Sequence, residues 1–92
     1  MQVTVEYAAQ LKRAAGIASE TVEMRAGQSL RELLREVAGR HDGALRGLLF
    51  DDEGALRPSI LVFVGDEQVR GVLNRELRDR DVVTFLSPIS GG

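Results

Sequence analysis

The residues best placed to do chemistry are the last six of the 92, Ser87-Pro88-Ile89-Ser90-Gly91-Gly92. They follow Val82-Val83-Thr84-Phe85-Leu86, a strong strand pattern. Pro88 has no N–H and a fixed φ, so it ends ladder pairing and turns the chain outward. Gly91 and Gly92 carry no Cβ and can thread a slot too narrow for other residues. Six extended residues reach roughly 20 Å, enough to enter another protein's active site while a folded domain stays outside. Two glycines alone would be an ordinary frayed end. Placed directly after an apolar strand and a proline, they read as a presented tail.

Elsewhere the chain offers little catalytic equipment. With no cysteine, it has no disulfide scaffold, no thiolate-ligated cluster and no thiol nucleophile. His41 is the only histidine and falls at the end of an expected helix, where a surface or dipole-compensating role fits better than catalysis. Asp51, Asp52 and Glu53 could face a cation, but nothing nearby in sequence completes a metal site, so they read as a solvated turn. Asp79 and Asp81, flanking Arg80, read as turn residues. Gly65-Asp66-Glu67 is a hairpin turn rather than a phosphate loop, because no helix N-terminus follows it. No nucleophile, base and orienter come together. No metal site and no bound cofactor are expected of these residues.

A composition of 43% hydrophobic and 28% charged residues belongs to one small globular domain. A formal net charge of −2 gives no footprint for nucleic acid. No apolar run approaches a membrane span, and Met1-Gln2-Val3 starts a strand rather than a signal peptide. The absence of cysteine is compatible with a reducing cytoplasm, the expected location. Lys12 is the single lysine among 12 basic residues, so only one side-chain amine is open to acylation.

The elements that must position the tail follow in chain order. Met1 to Ala8 alternates, with Val3, Val5 and Tyr7 on one face, and predicts a half-buried strand. Ala8 to Ala15 suits a helical turn anchored by Leu11 and closed by Gly16. Ser19 to Met24 alternates again, with Val22 and Met24 inward, and should form an antiparallel hairpin with the first strand. Ser29 to His41 is the clearest helix. Ser29 and Glu32 form a capping box, and Leu30, Leu33, Leu34 and Val37 make an apolar stripe. Ala44 to Leu49 fits either a short helical turn or the approach to a strand. Ser59 to Val64 is a continuous apolar run, which predicts a central strand buried on both faces. Gln68 to Arg70 is a short extended piece, Gly71 to Leu77 is irregular, and Arg78 to Asp81 is a polar turn.

The order strand, strand, helix, strand, short strand, strand predicts an α+β, β-grasp (ubiquitin-like) mixed sheet. The first and last strands lie parallel at its centre and the one main helix crosses one face. Residues 1–86 form the domain and 87–92 a flexible C-terminal Gly-Gly tail. A ferredoxin-like split βαβ fits less well, because Gly71 to Leu77 is too short for its second helix.

With that order and tail, the sequence resembles the ubiquitin-like sulfur carriers of the MoaD/ThiS family. The resemblance rests on Val3-Thr4-Val5, on Ser29-Leu30-Arg31-Glu32-Leu33-Leu34 and on Ile60-Leu61-Val62-Phe63-Val64-Gly65-Asp66-Glu67. It rests most specifically on the run from Leu77 through the Arg78–Asp81 turn, the valine-rich strand and Pro88 to Gly91-Gly92. It covers essentially the whole chain. The length and the acidic turn before Arg57-Pro58 look more like carriers serving cysteine or secondary-metabolite sulfuration than the shorter thiamine carriers. Two positions depart from the pattern: Arg80 stands where glycine is usual, and Ser87 where a first proline is often found.

The resemblance implies a chemistry. An E1-like adenylyltransferase would join the Gly92 carboxylate to AMP from ATP, and a sulfur donor would displace AMP to leave a thiocarboxylate. A sulfur-accepting biosynthetic enzyme would then take the sulfur. ATP and the donor are the partner's cofactors, and the carrier, monomeric when free, is a co-substrate. A glycine end suits this, since a Cβ would obstruct approach to the acyl carbon. The expected partner-binding residues are Gly91, Ser90, Ile89, Pro88, Phe85 and Phe63, with Leu86 beside them. Two other functions stay open. One is a ubiquitin-like modifier joined through Gly92 to a target lysine. The other is an interaction module, or the small subunit of a molybdopterin-synthase-like complex.

Overall fold

A computed structural model describes residues 1–41, 43–71 and 73–88. Strand β1 (Gln2–Tyr7) and β2 (Ser19–Glu23) pair antiparallel, with Val3 opposite Val22 and Val5 opposite Glu20. Between them lies α1 (Gln10–Ala15), whose Leu11 is fully buried and whose C-cap Gly16 takes the left-handed conformation at φ 77°. That conformation is open to glycine at no steric cost, which makes it a common helix stop.

The main helix, α2 (Leu30–Arg40), starts where the capping box predicts. The Glu32 carboxylate accepts from the Ser29 N–H at 3.0 Å and from the Ser29 hydroxyl at 3.2 Å. That bond to the Ser29 backbone, with a second from the Gln28 side chain, holds the Glu32 carboxyl below its usual range. Leu30, Leu33, Leu34 and Val37 are all buried. The undecided segment Ala44–Leu49 is a second short helix, α3, buried through Leu45 and Leu49.

Strand β3 (Leu61–Val64) and β4 (Glu67–Val69) form a hairpin, and β5 (Val82–Leu86) completes one five-stranded sheet of order β2-β1-β5-β3-β4. β5 runs parallel to β1, with Val5 opposite Val83, and antiparallel to β3, with Val62 opposite Phe85. The core is one cluster. The α2 stripe meets Val3, Val5, Val62, Val64, Val83 and Phe85 on the sheet's inner face.

Two expectations need correction. β3 is an interior strand, paired with β5 and β4, but it is not buried on both faces. Val62 and Val64 are buried, whereas Leu61 and Phe63 are only half-buried. Its apolar run reflects an inner face against the helix and an outer face that no layer covers. The strand also begins at Leu61 rather than Ser59, because Arg57 to Ile60 closes a turn in which the Ile60 N–H donates to the Arg57 carbonyl at 3.0 Å.

The polar turn before β5 is a clamp on the start of β1. The Arg80 N–H donates to the Gln2 carbonyl at 2.7 Å, and the Thr4 N–H donates to that of Asp81 at 2.9 Å. The Gln2 N–H donates to Asp79 Oδ1 at 2.8 Å. The Arg78 N–H donates to Asp81 Oδ2 at the same distance. Arg80 sits at φ 70°, so the turn keeps the left-handed conformation that glycine would take without strain.

Candidate functional site

The site is the place where the chain leaves β5. The backbone N–H of Ala8 donates to the Phe85 carbonyl at 3.2 Å, extending the β1–β5 ladder to its last rung. Ala9 then turns at φ 53°, ψ −124°. That is a conformation rarely open to a residue with a Cβ, and it sets α1 beside the end of β5. Gln10 Nε2 donates to Ser87 Oγ at 3.3 Å. A proline at position 87 could accept no such bond, so the departure Ser87 ties the root of the tail to α1. Ser87 is half-buried and Pro88 is exposed. Of the other expected site residues, Ile89, Ser90, Gly91 and Gly92 lie outside the described residues.

Beside this exit the open face of the sheet carries an apolar strip. Leu61 lies opposite Leu86, and Phe63 lies opposite Thr84 and Gln68. Leu61, Phe63 and Leu86 are each half-buried. Farther across the face the surface becomes polar, where Thr84 Oγ1 donates to Glu6 Oε1 at 3.3 Å. Half-buried apolar side chains beside the end of β5 make a surface that a partner can cover.

Phe85 does not belong to that surface. It has no exposed area, and its ring stacks on Tyr7 with centroids 6.3 Å apart. The strand alternation that points Leu86 outward points Phe85 into the helix-covered core. Phe85 therefore cannot touch a partner, and its expected docking role is withdrawn. Phe63 and Leu86 lie half-buried on the open face.

A polar cluster at the other edge was not anticipated. The Tyr7 hydroxyl donates to Glu20 Oε2 at 2.5 Å, and His41 Nε2 lies 2.6 Å from the same oxygen. Arg40 Nη1 lies 3.2 Å from Glu20 Oε1. Burial by itself would raise the Glu20 pKa, but bonds from Tyr7, His41 and Arg40 outweigh it and hold the carboxyl low. Burial, then the bond to Glu20, pushes the Tyr7 phenol up. The His41 ring meets Tyr7 edge-on at 5.8 Å. His41 thus joins the end of α2 to edge strand β2, a structural tie. Period two supplied the clue, since Glu20 shares its face with Val22.

The acidic turn is scaffolding. Asp51 Oδ1 accepts from the backbone N–H groups of Glu53 at 2.9 Å and Ala55 at 3.0 Å. Among the described residues, no group of His, Cys, Asp or Glu could hold a metal ion. None of the described helices is long and apolar enough to cross a membrane.

A mixed sheet of this order, crossed by one long helix, defines a ubiquitin-like β-grasp protein. The ThiS family model matches residues 5–92, so the chain belongs to the ThiS family. The crystal structure of SAMP1 from Haloferax volcanii superposes with a TM-score of 0.89 at 25% identity, covering 100% of both chains. A chain in the crystal structure of the Amycolatopsis orientalis BexX/CysO complex is 34% identical, with a TM-score of 0.72, over 98% of this chain and 99% of that one. The ubiquitin-related modifier 1 homolog of Bombyx mori is 39% identical over 46 residues. Those residues are 48% of this chain and 42% of that protein.

Proposed function

We propose that this chain is a sulfur carrier whose reacting group is the carboxylate of Gly92. The observation that carries the reading is the family match running through residue 92, on a chain that leaves β5 at Pro88 beside an open apolar strip. A carboxylate is a poor electrophile, because its charge repels nucleophiles and oxide is a poor leaving group. An E1-like adenylyltransferase converts it to an acyl adenylate, releasing pyrophosphate from ATP. Hydrosulfide attacks the acyl carbon, the C–S bond forms, the bond to the AMP oxygen breaks and AMP leaves. The product is a thiocarboxylate that an acceptor enzyme consumes. The carrier supplies docking and reach; its partners supply positioning and electrostatics. Leu61, Phe63 and Leu86 hold the partner while Ile89, Ser90, Gly91 and Gly92 enter its active site. CysO crystallised with BexX supports a partner of this kind.

A second reading has its own support. SAMP1 and the Bombyx mori relative are similar to this chain, and the latter is described as a ubiquitin-related modifier. A modifier uses the same adenylate but passes the acyl group to a lysine amine. Intact mass under non-reducing conditions separates the two. After incubation with a matching adenylyltransferase, ATP and sulfide, a carrier gains one oxygen-for-sulfur exchange at Gly92, and a modifier appears joined to a target. Deleting Gly92, or adding a residue after it, abolishes the exchange and leaves thermal unfolding unchanged. Sulfur transfer by an extended, untrimmed chain would falsify the assignment of Gly92.

A further inference from the structure

A cleft of about 710 Å³ opens between α2 and the free edge of the β3–β4 hairpin. Its floor is apolar, built from Leu34, Ala38, Phe50, Leu56, Ile60 and Val69. Its rim is cationic, with Arg31 and Arg35 on α2 and Arg57 and Arg70 opposite. Among the described residues no carboxylate lines it, although acidic residues outnumber basic ones in the chain by 14 to 12. Among the described residues none of the four arginines is in an ion pair. Arg57 donates to the Gly47 carbonyl and Arg70 to the Gln68 side chain. Of the acids nearby, Glu32 lies on α2 close enough to Arg35 for their charges to interact, while its carboxylate accepts from Ser29 and Gln28. Glu67 pairs with Arg75, and Asp51, Asp52 and Glu53 line a neighbouring hollow with Arg46 and the far side of Arg57.

We infer that this cleft docks an extended, acidic peptide segment of a partner protein, with aliphatic side chains in the floor and carboxylates on the arginine rim. Charge selects the occupant: an apolar floor ringed by arginines repels basic segments and rewards carboxylates, which a guanidinium can grip with two parallel bonds. Shape selects an extended segment, because β4 is an edge strand whose outer backbone groups have no neighbour in the sheet order and can pair with an added strand. Position gives it a use. Leu61 lines the cleft and also lies opposite Leu86 at the tail exit. A partner can therefore hold the cleft around the β4 edge while the tail reaches into it. The inference does not depend on what happens at Gly92.

The test uses the whole chain, labelled with 15N, and a fluorescein-labelled peptide Glu-Asp-Val-Ile-Leu-Asp-Glu. Amide shifts centred on Arg35, Val69 and Arg70 are expected, with an affinity that weakens as salt rises. Arg35→Glu with Arg70→Glu should weaken binding about tenfold or more, with thermal unfolding unchanged. If charge reversal disturbs folding, Arg35→Gln with Arg70→Gln serves instead. The idea is overturned if a peptide with lysines in place of its acids binds equally well, or if shifts gather on Phe63 and Leu86. It is also overturned by no shift at millimolar peptide, or by a single-stranded oligonucleotide that occupies the cleft more tightly than the peptide. Peptide binding by the chain lacking Gly92 keeps this result separate from the carrier reading: the cleft is intact there, so its affinity should equal that of the full chain whether or not Gly92 carries sulfur.

Discussion

Phe85 and Leu86 are neighbours on one strand with opposite surroundings. Phe85 has no exposed surface and stacks on Tyr7, whereas Leu86 is half-buried on the uncovered face opposite Leu61. The same division runs through β3, between Val62 and Val64 inside and Leu61 and Phe63 outside. With the helices packed into one core on its inner side, the five-stranded sheet has an outer face that no described element covers. Apolar residues on that face are not needed for the core and are available for contacts with a second protein. Residue type does not distinguish the two roles; the parity of the position along the strand does.

The largest effect should come from breaking the covered face. Phe85→Ala removes a fully buried ring and should cost about 3–5 kcal/mol, a large part of the stability of a domain this small. Urea unfolding reads that loss directly. Leu33→Ala, also fully buried, should cost about 2–5 kcal/mol. If Phe85→Ala unfolds like the parent but loses binding to the activating enzyme proposed for it, the two faces have been assigned the wrong way round.

Phe63→Ala and Leu86→Ala probe the open face. Their loss of stability should be well below that of Phe85→Ala, since neither side chain is fully enclosed. Each should weaken binding to the adenylyltransferase by more than about 1 kcal/mol if it is a central contact. Calorimetric titration with that enzyme gives the number, and unchanged affinity in both variants would remove the open strip from the docking surface.

How far this division was legible in the sequence depends on what sets each feature. The α2 stripe and its Ser29–Glu32 cap are local patterns, and they hold as predicted. Strand order followed because the helix supplies the crossover and Gly71 to Leu77 is too short for a second full helix. The face of Phe85 was harder. β3 reads as apolar throughout and β5 is broken only by Thr84, and only the register of Val62 against Phe85 shows which residues meet the helix. The arginine-rimmed cleft is less legible still. Its residues come from positions 31 to 73, and no spacing in the sequence announces that Arg31, Arg35, Arg57 and Arg70 converge. The Glu20 cluster joins residues 7, 20, 40 and 41 and was hidden for the same reason.

That cluster gives the comparison a pH handle on the covered side alone. Glu20 is held below its usual pKa in the folded protein. Its contribution is therefore present above the unfolded-state value of about 4.3 and is lost as pH falls through the lower, folded value. Glu20→Gln should destabilise the protein at neutral pH, and the gap from the parent should close in acid. Thermal melts across that range check it. A gap that stays constant down to the acid limb would mean the Glu20 charge contributes nothing. Contacts on the open face should show no matching dependence, since Leu61, Phe63 and Leu86 carry no titrating group.

The smallest effect is expected at Arg80, where both faces depend on one strained turn. Its φ of 70° costs a residue with a Cβ roughly 1–2 kcal/mol. The position is kept because its N–H reaches the Gln2 carbonyl and fixes where β1 meets β5. Arg80→Gly removes the steric cost but gives the unfolded chain more freedom, about 0.5–1 kcal/mol in the opposite direction. The net should be a gain of about 0–1.5 kcal/mol, with the register of Val5 against Val83 unchanged. Arg80→Val should lose stability, because a β-branched side chain tolerates positive φ least. If the glycine variant is the less stable of the two, the left-handed turn is not what holds β1 and β5 in register. The strand parity that separates Phe85 from Leu86 would then have to be set by the core alone.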